Sequence, residues 1–285
     1  MISKRFFYTV SAAFFWAVGI VLTRIILKSS EVGTYTLLLW VSIFSLPFWT
    51  YLLFTKRKEV KKLERKQIVL LACMGLISSF LVNVAEFFAL TYSPAVNFSF
   101  LIRMVIPFTI ILAYLLLGEK ITRKKIILAT LLLVGSYIFT TRGQVLVLTK
   151  GDVFTLIEAL FIAFGNNILG QWATNTIHPS MAAIGTFFFG FLPITLLSIF
   201  MGGAMVPSQL GLVFLLALSI IILTLLRFQA YKHGNASYVT MVFSFTPVFV
   251  SFMAIPLLGE TLLPIQIVGG VLIVGAAVLV EALKI

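Results

Sequence analysis

Residues 89–119 read ALTYSPAVNFSFLIRMVIPFTIILAYLLLGE, and residues 230–260 read AYKHGNASYVTMVFSFTPVFVSFMAIPLLGE. An offset of 141 superposes Ala89 on Ala230, Ala95 on Ala236, Gly118 on Gly259 and Glu119 on Glu260. Pro107 and Pro247 match after a slip of one residue. A further apolar run follows each Gly-Glu pair, with Gly135 in one and Gly275 in the other. The chain therefore carries an internal duplication, and the number of spans in each copy decides how the copies relate.

Ten apolar runs fill the 285 residues, near 6–28, 32–55, 67–90, 94–117, 126–141, 152–172, 181–201, 208–230, 235–258 and 262–282. Hydrophobic residues make up 61% and charged residues 11%, with mean hydropathy +1.13. So few charges cannot cover the surface of a soluble domain of this size. A bilayer core about 30 Å thick needs roughly 20 apolar residues per crossing helix. The runs are too long and continuous for barrel strands, so backbone pairing in lipid demands helices. Pro94 and Pro179 stand at or just before predicted helix starts, where a missing N–H costs little. Each copy holds five spans, one in residues 1–145 and one in 146–285. An odd number makes the second copy enter the membrane from the opposite side. The expected fold is all-α and integral to the membrane: two inverted five-helix repeats around a central cavity. Inverted repeats of this kind recur in transporters.

The net charge of +12 invites a nucleic-acid reading, but its distribution argues for topology instead. With the N-terminus inside, fifteen Lys and Arg residues fall in inner segments and three in outer loops; Arg24, Arg103 and Arg227 lie within spans. That bias fits the positive-inside rule with both termini cytoplasmic, in a prokaryotic cytoplasmic membrane. The basic run 56–66 can also meet anionic lipid heads. The first run is too long for a signal-peptide core and reads as a retained helix. Cys73, the single cysteine, reads as a small buried packing residue. No loop houses a nucleotide-binding module, and no G-x-x-x-x-G-K-[ST] loop exists for phosphates. His178 and His233 fall in inner loops with no evident partners. No cofactor or metal ligand set is expected.

At these residues the chain resembles a known family. The tracts AVNFSFLIRMVIPFTIILAYLLLGEKIT and ASYVTMVFSFTPVFVSFMAIPLLGETLLPIQIVGGVLIVGAAVLV are similar to the EamA repeat of the drug/metabolite transporter superfamily. Phe15-Trp16-Ala17 with Arg24 is similar to that repeat's first-helix pattern. The resemblance covers both copies and implies a ten-helix carrier of small metabolites such as amino acids. Glu86 and Arg103 depart from it, standing where apolar or aromatic residues are usual.

Charges inside the bilayer are costly and mark functional positions. The candidates are Arg24, Glu86, Arg103, Glu158 and Arg227. The first four share the outer half and sum to zero charge. They are expected to form a mixed-charge cluster, with Glu86 and Arg103 as the pair, suited to the ammonium and carboxylate of a zwitterion. A structural ion pair or outer gate is the competing reading. Arg227 is the repeat partner of Glu86, read either as an inner gate or as an Arg reaching lipid phosphates. Ser79, Asn83 and Glu86 share one face of span three, and Ser99, Arg103 and Pro107 one face of span four. Ser237, Thr240, Ser244, Pro247 and Ser251 form the matching stripe of span nine. Pro107 and Pro247 each free a carbonyl, for substrate or for bending. Asn166, Asn167 and Gln171 make span six polar, for helix contacts or for substrate. Trp16 and Trp40 are candidates for an aromatic pocket, Trp49 and Trp172 for interfacial anchors. Glu119 and Glu260 read as structural, each suiting the positive end of the next helix.

The first functional reading is a secondary carrier of a small-molecule substrate (an amino acid, amine or similar zwitterion or cation), working by alternating access. Its substrate groups are Arg103, Ser99, Glu86, Asn83, Trp16, Thr240, Ser244, Asn166 and Asn167. Gating or coupling falls to Glu86, Glu158, Arg24, Arg227, Pro107 and Pro247. A proton is the candidate coupling ion, through Glu86 or Glu158. Beyond substrate and membrane lipids no partner is expected, and the chain reads as a monomer or homodimer. The alternatives are a membrane-embedded lipid-modifying enzyme and a receptor or scaffold; scattered carboxylates argue against the one, short loops against the other.

Overall fold

The computed structural model describes residues 3–29, 33–203, 205–259 and 261–285, and every regular element among them is a helix. Ten are long and apolar enough to cross a bilayer: α1 (Lys4–Lys28), α2 (Thr34–Thr55), α3 (Arg65–Tyr92), α4 (Val96–Leu117), α5 (Arg123–Thr141), α6 (Asp152–Thr176), α7 (Pro179–Phe200), α8 (Leu210–His233), α9 (Ala236–Leu258) and α10 (Pro264–Ala282). The fifth run starts earlier than its hydropathy suggests. Thr122 caps α5, its hydroxyl accepting from Lys125 N at 3.2 Å, so three basic residues join the helix. Asn235 caps α9 in the same way, accepting from Tyr238 N at 2.8 Å. The Leu-Gly-Glu corners end α4 and α9 with left-handed glycines, Gly118 at φ +69° and Gly259 at φ +68°. A side chain with a Cβ is strained there, which explains the glycine in both copies.

The long helices are not uniform. α4 tightens into a 3₁₀ turn at Ile102–Met104 and α9 at Phe243–Phe245, positions separated by the repeat offset. Each turn lies just ahead of its proline, which cannot donate to the carbonyl four residues back. The freed Phe243 carbonyl is taken up by Thr246 Oγ1 at 2.8 Å, within its own helix. α3 and α6 instead widen into π segments, Leu76–Leu81 and Ile162–Ile168, which pack on each other. Gly165 permits that approach: a Cβ there would stand 2.6 Å from Ile77 Cγ2.

One face gathers the basic loops. Arg5 meets Glu281 at 3.1 Å, Tyr8 stacks on His233 at 5.4 Å, Gln67 Nε2 donates to the Thr176 carbonyl, and Lys125 pairs with Glu119. The opposite face gathers the other ends. Trp40 Nε1 donates to the Met205 carbonyl at 2.8 Å, and Ser93 donates to Asp152. So α1 begins at the basic face and α6 at the far face. The Gly118 corner lies at the basic face. Beyond Gly259, Ile265 approaches Gly143 at the far face. The two five-helix copies are therefore inverted.

The packing obeys the same exchange. α1 packs on α8 as α6 packs on α3; α1 on α9 as α6 on α4; α2 on α8 as α7 on α3; α4 on α5 as α9 on α10. α5–α10 and α2–α7 close the ring across the axis. Symmetry fails in one respect. At the basic end, Val105–Leu117 of α4 packs along Ala236–Val242 of α9. The far halves of these helices, Ala95–Leu101 and Thr246–Leu258, have no comparable packing among the described residues. The pairs α6–α8, α6–α7 and α7–α8 are packed, whereas their counterparts α1–α3, α1–α2 and α2–α3 are not packed to that extent. The bundle is shut at its basic end and loosened at the far end.

Candidate functional site

A polar knot holds the basic end. The π segment of α6 carries Asn167 inward, where its amide donates to Thr109 Oγ1 of α4 at 2.7 Å and to Thr240 Oγ1 of α9 at 2.9 Å. Its carbonyl oxygen accepts from Tyr231 of α8 at 2.5 Å. Below it, Gln171 accepts from Ala236 N, and Glu119 accepts from Ser237 N at 3.4 Å while paired with Lys125 at 3.0 Å. Glu119 thus serves the N-terminus of α9 rather than that of α5, whose cap is Thr122. The Glu119 and Lys125 side chains are 9% and 5% exposed, so each needs the other. Glu260 lies outside the described residues. The far-face counterparts of the knot are Ser99 for Thr240 and Leu90 for Tyr231, and Thr109 maps onto the apolar stretch Phe249–Val250. No comparable amide-hydroxyl knot can form there.

Above the knot, several buried polar atoms have no hydrogen-bond partner: Arg103 Nε, Glu158 Oε2, Thr155 Oγ1, Ser244 Oγ and Arg227 Nε; Ser237 Oγ, below it, has none either. Arg103 and Ser244 are repeat partners, as are Glu86 and Arg227. Unpartnered polar atoms inside a membrane bundle are costly unless a wet path or a ligand serves them. They stand on α4, α6, α8 and α9.

The expected charge cluster is arranged differently. Glu86 and Arg103 are not paired with each other; ion pairs among the described residues include Arg5–Glu281, Lys56–Glu59 and Lys125–Glu119. Glu86 instead interacts electrostatically with Glu158 across the α3–α6 contact and with Tyr35 of α2. α3 and α6 pack face to face, whereas Arg103 sits in the 3₁₀ turn of α4. Arg24 is exposed, outside this buried group. Arg227 is half-buried, its guanidinium 5.6 Å from the Phe228 ring.

Among the other expected residues, Thr240 and Asn167 are engaged with one another in the knot. Asn83 donates to the Ser79 carbonyl and lines a cavity of about 190 Å³ with Glu86. Ser99 and Asn166 are half-buried, and Trp16 is 41% exposed and does not line that cavity. Pro107 and Pro247 follow the 3₁₀ turns. Trp40 is tied to the α7–α8 corner, not to a central pocket. Trp49 is 2% exposed and stacked on Phe187 at 5.6 Å, a core residue rather than an interfacial anchor, because α7 covers this part of α2. Cys73 is exposed, not buried, since its side of α3 faces away from α7. His178 caps α7, accepting from Ser180 N at 3.3 Å.

Two clamps were silent in the sequence. At the far face Asp152 accepts from Ser93, from Asn97 at 2.8 Å and from Thr149 N at 2.6 Å. At the basic face Glu281 accepts from Tyr238 at 2.8 Å and from Arg5, whose guanidinium lies 4.1 Å from the Tyr238 ring. Asn97 and Tyr238 are repeat partners, so the copies clamp the same corner with different chemistry.

Ten spans arranged as an inverted duplication are the architecture of a membrane transporter. The sequence profile of the EamA-like transporter family matches residues 4–141 and again 149–282, and the chain belongs to that family. No curated protein matches the sequence. A solved crystal structure of a protein aligns over 99% of this chain and 98% of that one, with TM-score 0.76 at 15% identity; the likeness is one of fold.

Proposed function

We propose that the protein is a secondary transporter that moves a small organic metabolite (an amino acid, amine or similar zwitterion or cation) by alternating access. One observation carries the reading: a symmetric inverted scaffold held in an asymmetric state, packed and hydrogen-bonded between α4 and α9 at the basic end and loosened at the far end. Two copies that exchange roles would open one end as they close the other. Taking the basic face as cytoplasmic, this is the outward-facing form in an inner membrane. Substrate would descend from the far face and meet Ser99, Asn166, Arg103 and Ser244, the last two of which carry buried polar atoms without partners. Glu86 and Glu158 are the groups through which a proton would couple.

The test is uptake of labelled amino acids and amines into proteoliposomes. The wild type should move at least one of them, and Arg103→Leu, still monodisperse, should lose the flux. Unchanged flux in that variant contradicts the site. No flux of any tested class through correctly reconstituted protein contradicts the carrier.

A further inference from the structure

The cavity of about 190 Å³ near the far face lies between α2 and α3. Its walls are Glu86, Asn83, the rings of Tyr35 and Phe87, and the hydroxyl-bearing Thr34 and Thr91. The two rings are 5.2 Å apart and inclined at 51°, so together they make a corner rather than a flat wall. Among the described residues no Lys or Arg lines it. Behind Glu86, in electrostatic contact with it, stands Glu158, 3% exposed and with Oε2 unpartnered. Neither carboxyl belongs to an ion pair among the described residues. Two adjacent carboxyls in a low-dielectric site do not readily ionise together, but the one negative charge the pair carries attracts a cation far more strongly than it would in water. An aromatic corner holds the same kind of charge through its ring faces, and it favours an ammonium wrapped in alkyl groups. The cavity also sits where α2 and α3 part, at the loosened end of the bundle.

We propose that this acidic, aromatic cavity is a binding site for a small organic ammonium, with Glu86 as the counter-charge and Tyr35 and Phe87 as the ring walls. The inference rests on the transporter reading and narrows it: the solute's recognised group is a cation, received at the far face before it reaches the Arg103 level.

The test is equilibrium binding to the full chain in nanodiscs, with choline and ethylammonium as probes. The neutral isostere 3,3-dimethylbutan-1-ol is the control. At least one cation should bind saturably and the alcohol should not. Glu86→Gln and Tyr35→Leu should each weaken binding by about tenfold or more, while Tyr35→Phe should keep it. Should Glu86→Gln fail to fold, the Tyr35 pair alone carries the comparison. Equal binding of the alcohol, wild-type affinity in Tyr35→Leu, or no binding of either cation overturns the site. Flux of a solute that lacks an ammonium group, together with no cation binding, would leave the carrier standing and remove this inference alone.

Discussion

Asn167 uses its whole amide group: both donors and its oxygen go to Thr109, Thr240 and Tyr231. Replacing it with Ala leaves three hydroxyls short of a partner in an apolar setting. Hydrogen bonds between membrane helices are worth less than the buried setting suggests, because the unfolded chain also finds partners. Asn167→Ala should therefore lower the unfolding free energy by about 1–2 kcal/mol, read by reversible denaturation in mixed micelles. Glu119 is a harsher case. Glu119→Gln leaves the buried Lys125 ammonium unpaired and should cost about 3 kcal/mol, while Glu119→Gln with Lys125→Met should recover most of it. A double variant as unstable as the single one would refute the pairing argument. The polarity of span six was legible in the sequence, since Asn166, Asn167 and Gln171 stand together in an apolar run. Their partners were not, because Thr109 and Thr240 lie 58 and 73 residues away and no local spacing announces such a contact. The Glu86–Arg103 pair failed for a related reason. Span direction assigned Glu86 and Arg103 to one half of the membrane, but which way each side chain faces depends on helix packing and on the 3₁₀ turn of α4, which hydropathy does not register.

At the scale of elements, the close contacts depend on glycine. α3 and α7 interlock through Gly75 and Gly190. A Cβ on Gly190 would stand 2.4 Å from Ser79 Cβ, and one on Gly75 would stand 2.8 Å from Gly190 N. Neither neighbour is a flexible tip that can swing aside. Gly190→Ala should separate α3 from α7 and cost about 1–3 kcal/mol, visible as a lower unfolding midpoint. Gly211→Ala, where nothing lies within 4 Å, should change little and serves as the control. Helix number and order were readable from apolar run length alone. The π segments of α3 and α6 were not, because an inserted residue changes backbone pairing without changing composition. They matter, since one of them turns Asn167 into the knot.

For the whole molecule, the antiparallel duplication was visible in the Pro and Leu-Gly-Glu tracts and in the odd number of spans. Which end is closed was not, because either end could close on the same repeat. The two ends differ in chemistry: Asn167, Tyr231 and Thr240 knot the basic end, while the counterpart positions at the other carry Leu90, Ser99 and the Phe249–Val250 stretch. Cutting the knot should therefore let the bundle rock. Spin labels at Val96 and Phe252 report the far ends of α4 and α9, and labels at Lys120 and His233 report the basic end, in a Cys73→Ser background. Pulsed dipolar distances in liposomes, compared between this protein and its Asn167→Ala variant, are the most direct test. Rocking predicts that the variant gains a shorter far-end population together with a longer basic-end one. Unchanged distances at both ends, or lengthening at both, would contradict it.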